Sequence, residues 1–123
     1  MGRKPQPMTA DYARMVAENT IWLMTHFDQI IGVLVLINEP EHMLIYSVAI
    51  KPTFQKLGLG RQLLTWAEMQ AIQQGYKSIR LYTNTRFEEN IRLYQQFGYT
   101  ETGRTLLENS HIVYMAKPTR TPT

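Results

Sequence analysis

Gln55-Lys56-Leu57-Gly58-Leu59-Gly60-Arg61 carries the clearest chemistry in this 123-residue chain. It follows an apolar run, Met43 to Ile50, and opens a helical pattern that continues to about Gln74. The first amides of a helix lack intrahelical partners, and the helix dipole adds roughly half a positive charge at that end. Glycines at 58 and 60 let the backbone curl around an anion with no Cβ in the way. Gln55, Lys56 and Arg61 supply further donors or positive charge. Such a turn is a cradle for a phosphate or pyrophosphate. It is not a nucleotide P-loop, because Arg61-Gln62 stands where Lys-Ser/Thr is required. It is not a dinucleotide fingerprint, because Leu63 replaces the third glycine. On the motif alone, two glycines opening an ordinary helix is the alternative.

The elements around the turn follow from periodicity and breakers. Thr9 to Asn19 reads as a short helix, with Tyr12, Met15, Val16 and Asn19 on one face. Thr20 to Phe27 and the β-branched run Ile30 to Ile37 read as a hairpin around Asp28-Gln29. Met43 to Ile50 is a strand, stopped by Lys51-Pro52. In the helix after the glycine turn, Leu59, Leu63, Trp66, Ala67 and Ala71 form the apolar stripe and Gly75 ends it. Ser78 to Thr83 is a strand, Thr85 to Glu88 fits a capping box, and a helix runs to Phe97 before Gly98. Tyr99 to Leu106 and His111 to Ala116 close the chain as a hairpin. The order is α-β-β-β-α-β-α-β-β: an α/β fold with a mixed, mostly antiparallel sheet and helices on both faces.

Composition bounds the rest. The length fits one domain, expected over residues 9–117, between loose tails at 1–8 and 118–123. Hydrophobic residues at 44% and charged residues at 19% are those of a globular chain. The absence of cysteine excludes disulfides, a thiolate zinc site and a cysteine nucleophile. His26, His42 and His111 show no metal spacing, so no metal is expected. The net charge of +3 favours an anionic ligand but does not argue for nucleic acid. No apolar run approaches the roughly 20 residues of a membrane helix, and no signal peptide is evident. A cytoplasmic protein with no membrane or nucleic-acid partner is expected.

The glycine turn resembles a known family. Gln55 to Gly60 matches the Q/R-x-x-G-x-G/A motif of the GNAT superfamily of acyl-CoA N-acyltransferases, and Val48-Ala49-Ile50-Lys51-Pro52 is similar to that family's fourth strand and its following proline. Asn90-Ile91-Arg92-Leu93-Tyr94-Gln95-Gln96-Phe97-Gly98-Tyr99 is similar to the family's second cofactor segment. The resemblance runs from about Thr20 to Ala116. It implies acetyl-CoA as co-substrate and an amine as acceptor. The amides of Leu57, Gly58, Leu59, Gly60 and Arg61 would hold the pyrophosphate. A bulged fourth strand that splays from the fifth would offer unpaired backbone at Val48, Ala49 and Ile50 to pantetheine. Asn90 would bond the pantetheine arm, and Tyr94 would protonate the departing thiolate, a role that its hydroxyl suits. Without the resemblance, Tyr94 reads first as a core aromatic beside Ile91 and near Phe97, Asn90 as a solvated or capping residue, and Glu88 and Glu89 as acids suited to a helix start.

Two departures stand out. Some members carry a glutamate base on the fourth strand, six residues before the position of Ile50; here that residue is Leu44. Water, Glu41, His42, Tyr46 or arrival as the free amine are the alternatives. The front end is also short against the family's strand and two helices. That shortness predicts an unpaired edge on the strand Thr20 to Phe27, covered by a partner copy in a homodimer or by a large acceptor. The implied activity is acetyl transfer from acetyl-CoA to a primary amine by direct attack; the alternative is a non-catalytic acyl-CoA sensor or subunit.

Overall fold

The computed structural model describes residues 14–18 and 21–119. Its strands are β1 (Arg14–Glu18), β2 (Ile21–His26), β3 (Gln29–Asn38), β4 (Met43–Ile50), β5 (Ser78–Asn84), β6 (Thr100–Leu107) and β7 (Ser110–Pro118). Helix α1 (Leu59–Gln73) joins β4 to β5, and α2 (Glu88–Gln96) joins β5 to β6. The strands form one sheet in the order β1-β2-β3-β4-β5-β7-β6. All neighbours are antiparallel except β4 and β5. This is the mixed, mostly antiparallel α/β fold expected. The β2–β3 hairpin turns at Phe27-Asp28, both at positive φ, one residue before the expected turn.

The first element differs from the expectation. Residues 14–18 of the expected helix form β1, and Thr9 to Tyr12, Ala13 and Asn19 lie outside the described residues. A short helix on its own is marginal in water, whereas this segment gains a ladder against β2, from Arg14 opposite Thr25 to Glu18 opposite Ile21. The edge of β2 expected to be bare is therefore paired, and the argument for a homodimer drawn from it loses its basis. With the first helix replaced by a strand, both described helices lie on one face. The crossovers from β4 to β5 and from β5 to β6 advance in the same direction along the sheet, and right-handed connections then put their helices on the same side. Arg61 Nη2 on α1 donates to Gln96 Oε1 on α2 at 2.9 Å.

On that face the period-2 pattern of the strands meets the stripe of α1. Leu59, Leu63, Leu64, Ala67 and Ala71 are buried against Leu34, Leu36, Met43, Ile45, Ile79, Leu81, Val113 and Met115. Truncating one of the large members, such as Leu63, costs about 2–5 kcal/mol. A part-buried ion pair, Lys117 with Glu68, ties β7 to α1. The same ammonium lies 5.1 Å over the Phe97 ring at the end of α2. Gly98 follows at φ 104, a conformation that glycine adopts without the strain a side chain would bring. The sheet outruns the expected end of the domain: Pro118 closes β7, and Thr119 Oγ1 donates to Tyr76 O at 2.7 Å. Residues 1–8 and 120–123 of the expected tails lie outside the described residues. No helix among the described residues is long and apolar enough to cross a membrane.

Candidate active site

The site begins where β4 leaves its neighbours. Against β3, Val35 pairs with Ser47 and Leu36 with Ile45, so Tyr46 is the extra residue of a bulge. Against β5, only Met43, Leu44 and Ile45 are in register, opposite Ile79, Arg80 and Leu81. Beyond Ile45 the two parallel strands part, and the β5 side of Tyr46 to Ile50 has no ladder partner. Lys51 N donates to Ile31 O at 2.8 Å, which keeps the end of β4 fastened to β3 while its other edge pairs with no strand.

After β4 a 3₁₀ turn, Pro52–Phe54, leads into the glycine turn. Lys56 sits at φ 66 and Gly58 at φ 81, both left-handed. A side chain held there costs roughly 1–2 kcal/mol, so the strain at Lys56 marks a conformation that the surroundings enforce. Nothing lies within 4 Å of where a Cβ on Gly58 would project. The glycine is needed for its φ, and the space in front of it is open. Helix α1 starts at once, with no side-chain cap and no acid in its first turn. The first helical bond is Gln62 N to Gly58 O at 3.2 Å, so the amides of Leu59, Gly60 and Arg61 precede the ladder. Gln55 has a different local task from the one expected: its Nε2 donates to Ile50 O at 3.0 Å and braces the turn against β4. Arg61 spends one donor on Gln96 and keeps the others.

These parts line one cleft of about 660 Å³ between the end of β4, the glycine turn and the two helices. Val48, Ala49, Ile50, Gln55, Lys56, Gly58, Leu59, Gly60, Arg61, Asn90 and Tyr94 all border it. Leu57 does not; it is an exposed residue of the turn. Phe54, Leu64 and Leu93 border it too and were not singled out from sequence; Glu89, read there as an acid suited to a helix start, also borders it. Leu64 and Leu93 carried a signal, since each lies a helical turn from a motif residue, Gly60 and Asn90. Leu93 also packs close to Gly60, where an added Cβ would lie 3.5 Å from its Cδ2.

Tyr94 stands one turn after Asn90 on α2 and is 6% exposed. Burial pushes its hydroxyl above the usual tyrosine range. The group is therefore a protonated donor at neutral pH. Its ring meets that of Tyr99 edge to face, centroids 6.1 Å apart. Tyr99 is deeper still, and its hydroxyl has no hydrogen-bond partner among the described residues. Burial, then the charges of Glu68 and Tyr94, raise its pKa far above the ordinary value. The capping box expected at Thr85 is absent: α2 begins after Phe87 with no side-chain cap. Asn84 Oδ1 instead accepts from Arg86 N at 3.0 Å and turns the chain earlier.

The model of the Acetyltransferase (GNAT) family matches residues 2–99, and the chain belongs to that family. A Bacillus subtilis (strain 168) protein described as the uncharacterized N-acetyltransferase YvbK is 33% identical over 73 residues, 58% of this chain and 47% of that protein. The chain thus spans about half the length of this curated relative. Ard1 from Thermoplasma volcanium superposes with a TM-score of 0.77 at 21% identity, over 83% of this chain and 72% of that one. A GNAT family acetyltransferase from Elizabethkingia anophelis, with acetyl-CoA bound, superposes with a TM-score of 0.71 at 22% identity, over 80% of this chain and 74% of that one. At these identities the two structures speak for the fold alone.

Proposed function

We propose that the chain transfers an acetyl group from acetyl-CoA to a primary amine by direct attack, with no covalent enzyme intermediate. One observation carries the reading: the uncapped, acid-free start of α1, the unpaired edge of β4 and the buried Tyr94 border a single cleft. The residues fit the co-substrate. The amides of Gly58 to Arg61, with the side chains of Lys56 and Arg61, suit a pyrophosphate. The backbone of Val48 to Ile50 suits an extended amide-bearing arm, added like a strand, and Asn90 adds a side-chain bond to it. Acetyl-CoA, when bound, supplies the activated acetyl group.

In this proposal the lone pair of the neutral amine forms the new N–C bond and the C–S bond breaks. Tyr94 gives its proton to the sulfur, the attacking nitrogen, made positive by the new bond, loses one of its own protons to solvent, and solvent restores the tyrosine. The desolvated phenol keeps its proton at neutral pH and gives it up only as negative charge builds on the departing sulfur. The absence of cysteine agrees with a route that has no thiol carrier. The cytoplasm as location and a homodimer as assembly belong to this proposal only as expectations. A second reading, a non-catalytic acyl-CoA sensor, draws on Leu44, an apolar residue opposite Ile37 and Arg80 where some relatives place a carboxylate base.

Titration calorimetry with acetyl-CoA tests the reading, on the chain and on Gly58→Glu. Saturable binding at about one site per chain, lost in the folded variant, is the expected result. An amine panel then separates catalysis from sensing: turnover that falls in Tyr94→Phe supports the first, and binding without turnover the second. No binding at millimolar cofactor would overturn both.

A further inference from the structure

The face of the sheet opposite the helices carries a feature that the cofactor cleft does not use. Tyr46 and Tyr82 are the first residues beyond the last β4–β5 pair, Ile45 with Leu81, so each tyrosine flanks the gap on its own strand. They are 57% and 42% exposed. Tyr82 is directly opposite Tyr114 on β7, and the two rings contact at 6.0 Å. Leu81 and Met115 point into the helix-side core, so Tyr82 and Tyr114 stand on the other face. By the same alternation Arg80 is the one charged side chain that β4, β5 and β7 place on this face. Glu39 and Glu41 lie on the loop before β4, at the opposite end from the gap, and Glu89 borders the cofactor cleft.

With the cofactor on the helix side, an acceptor must reach the gap from the tyrosine side. Exposed rings reward an aromatic body by stacking. Arg80, with no carboxylate beside it among the described residues, penalises every cation beyond the reacting amine. We infer that Tyr82 and Tyr114 form an acceptor subsite, rimmed by Tyr46, that selects singly charged primary amines on an aromatic body and rejects polyamines. This rests on the acetyltransfer reading.

The test compares 2-phenylethylamine, propylamine and spermidine in two ways: kcat/KM with acetyl-CoA, and calorimetric binding to the protein without cofactor. The expected order is 2-phenylethylamine first and spermidine last in both. In Tyr82→Thr, a substitution that suits an exposed strand, the ratio of 2-phenylethylamine to propylamine falls about tenfold. Arg80→Glu raises spermidine relative to propylamine about tenfold. Acetylation of all three amines without preference, or a preference for spermidine, overturns the subsite and leaves the acetyltransfer reading standing. Acetyl-CoA binding with no amine acetylated and no amine bound overturns the subsite as well. Failure to bind acetyl-CoA overturns both.

Discussion

Two helices begin on the same cleft, and they treat their dipoles in opposite ways. Helix α1 starts at a left-handed glycine with no cap, no acid in its first turn and Arg61 close by. Helix α2 starts with Glu88 and Glu89. The second helix answers its own partial positive charge; the first leaves its charge for something from outside. Their other contributions divide accordingly. Helix α1 offers backbone amides and suits binding, whereas α2 brings Asn90 and the buried Tyr94 and suits chemistry. A helix start alone is not a site. On this contrast the proposed anion site belongs to α1 and not to α2.

Tyr94→Phe tests the chemical half and has the largest expected effect. Loss of a general acid lowers kcat by roughly a hundredfold to ten-thousandfold, while calorimetry finds the affinity for acetyl-CoA nearly unchanged. Gly58→Glu tests the binding half. A carboxylate facing the pyrophosphate adds about 1–4 kcal/mol of repulsion per charge pair, so Kd rises at least about tenfold. The forced left-handed glutamate costs roughly 1–2 kcal/mol of stability, visible as a lower Tm with the fold retained. If kcat falls in Gly58→Glu at saturating cofactor, or Kd rises in Tyr94→Phe, the division of labour between the helices is wrong.

A smaller effect concerns the tyrosines behind the cleft. Tyr94 and Tyr99 both have raised pKa values, burial being the largest cause. Each folded value exceeds the unfolded one, near 10. The folded state then keeps protons that the unfolded state sheds. The stability this confers is complete below about pH 10 and is lost as pH rises through the folded values. Denaturant melts between pH 9 and 12 check the sign, and Tyr99→Phe makes the decline shallower. At pH 7 the same variant is expected to be neutral or stabilising by up to about 1 kcal/mol, because the hydroxyl it removes is buried without a partner.

What the sequence made legible was local. The glycine turn, the end of β4 and the stripe of α1 are contiguous patterns, and each is where periodicity and breakers put it. β1 was misread because Met15, Val16 and their neighbours form a strand only through the ladder that β2 supplies. The start of α2 was misread because Asn84 takes the Arg86 amide and turns the chain before Thr85 acts as a cap. Tyr82 and Tyr114 carry no local signal at all; they meet through the register of two strands that are 32 residues apart at that pair. The Glu68–Lys117 pair, separated by 49 residues, is hidden in the same way.

The smallest expected effect returns to the two helix starts. Glu89 lies in the first turn of α2 and also borders the cleft. Glu89→Gln therefore acts on two quantities with opposite signs. It removes a carboxylate that suits the dipole of α2, which costs about 0.3–1 kcal/mol of stability. It also removes a negative charge from the cleft proposed to receive the pyrophosphate, and a gain of similar size in acetyl-CoA binding is roughly twofold to fivefold in Kd. Thermal melts without cofactor read the first and calorimetry reads the second, and added salt weakens the gain in binding because the charges face solvent. A variant that loses stability without gaining affinity would mean that Glu89 serves α2 alone. A gain in affinity would show that the anion bound at α1 senses the acid that α2 keeps for itself.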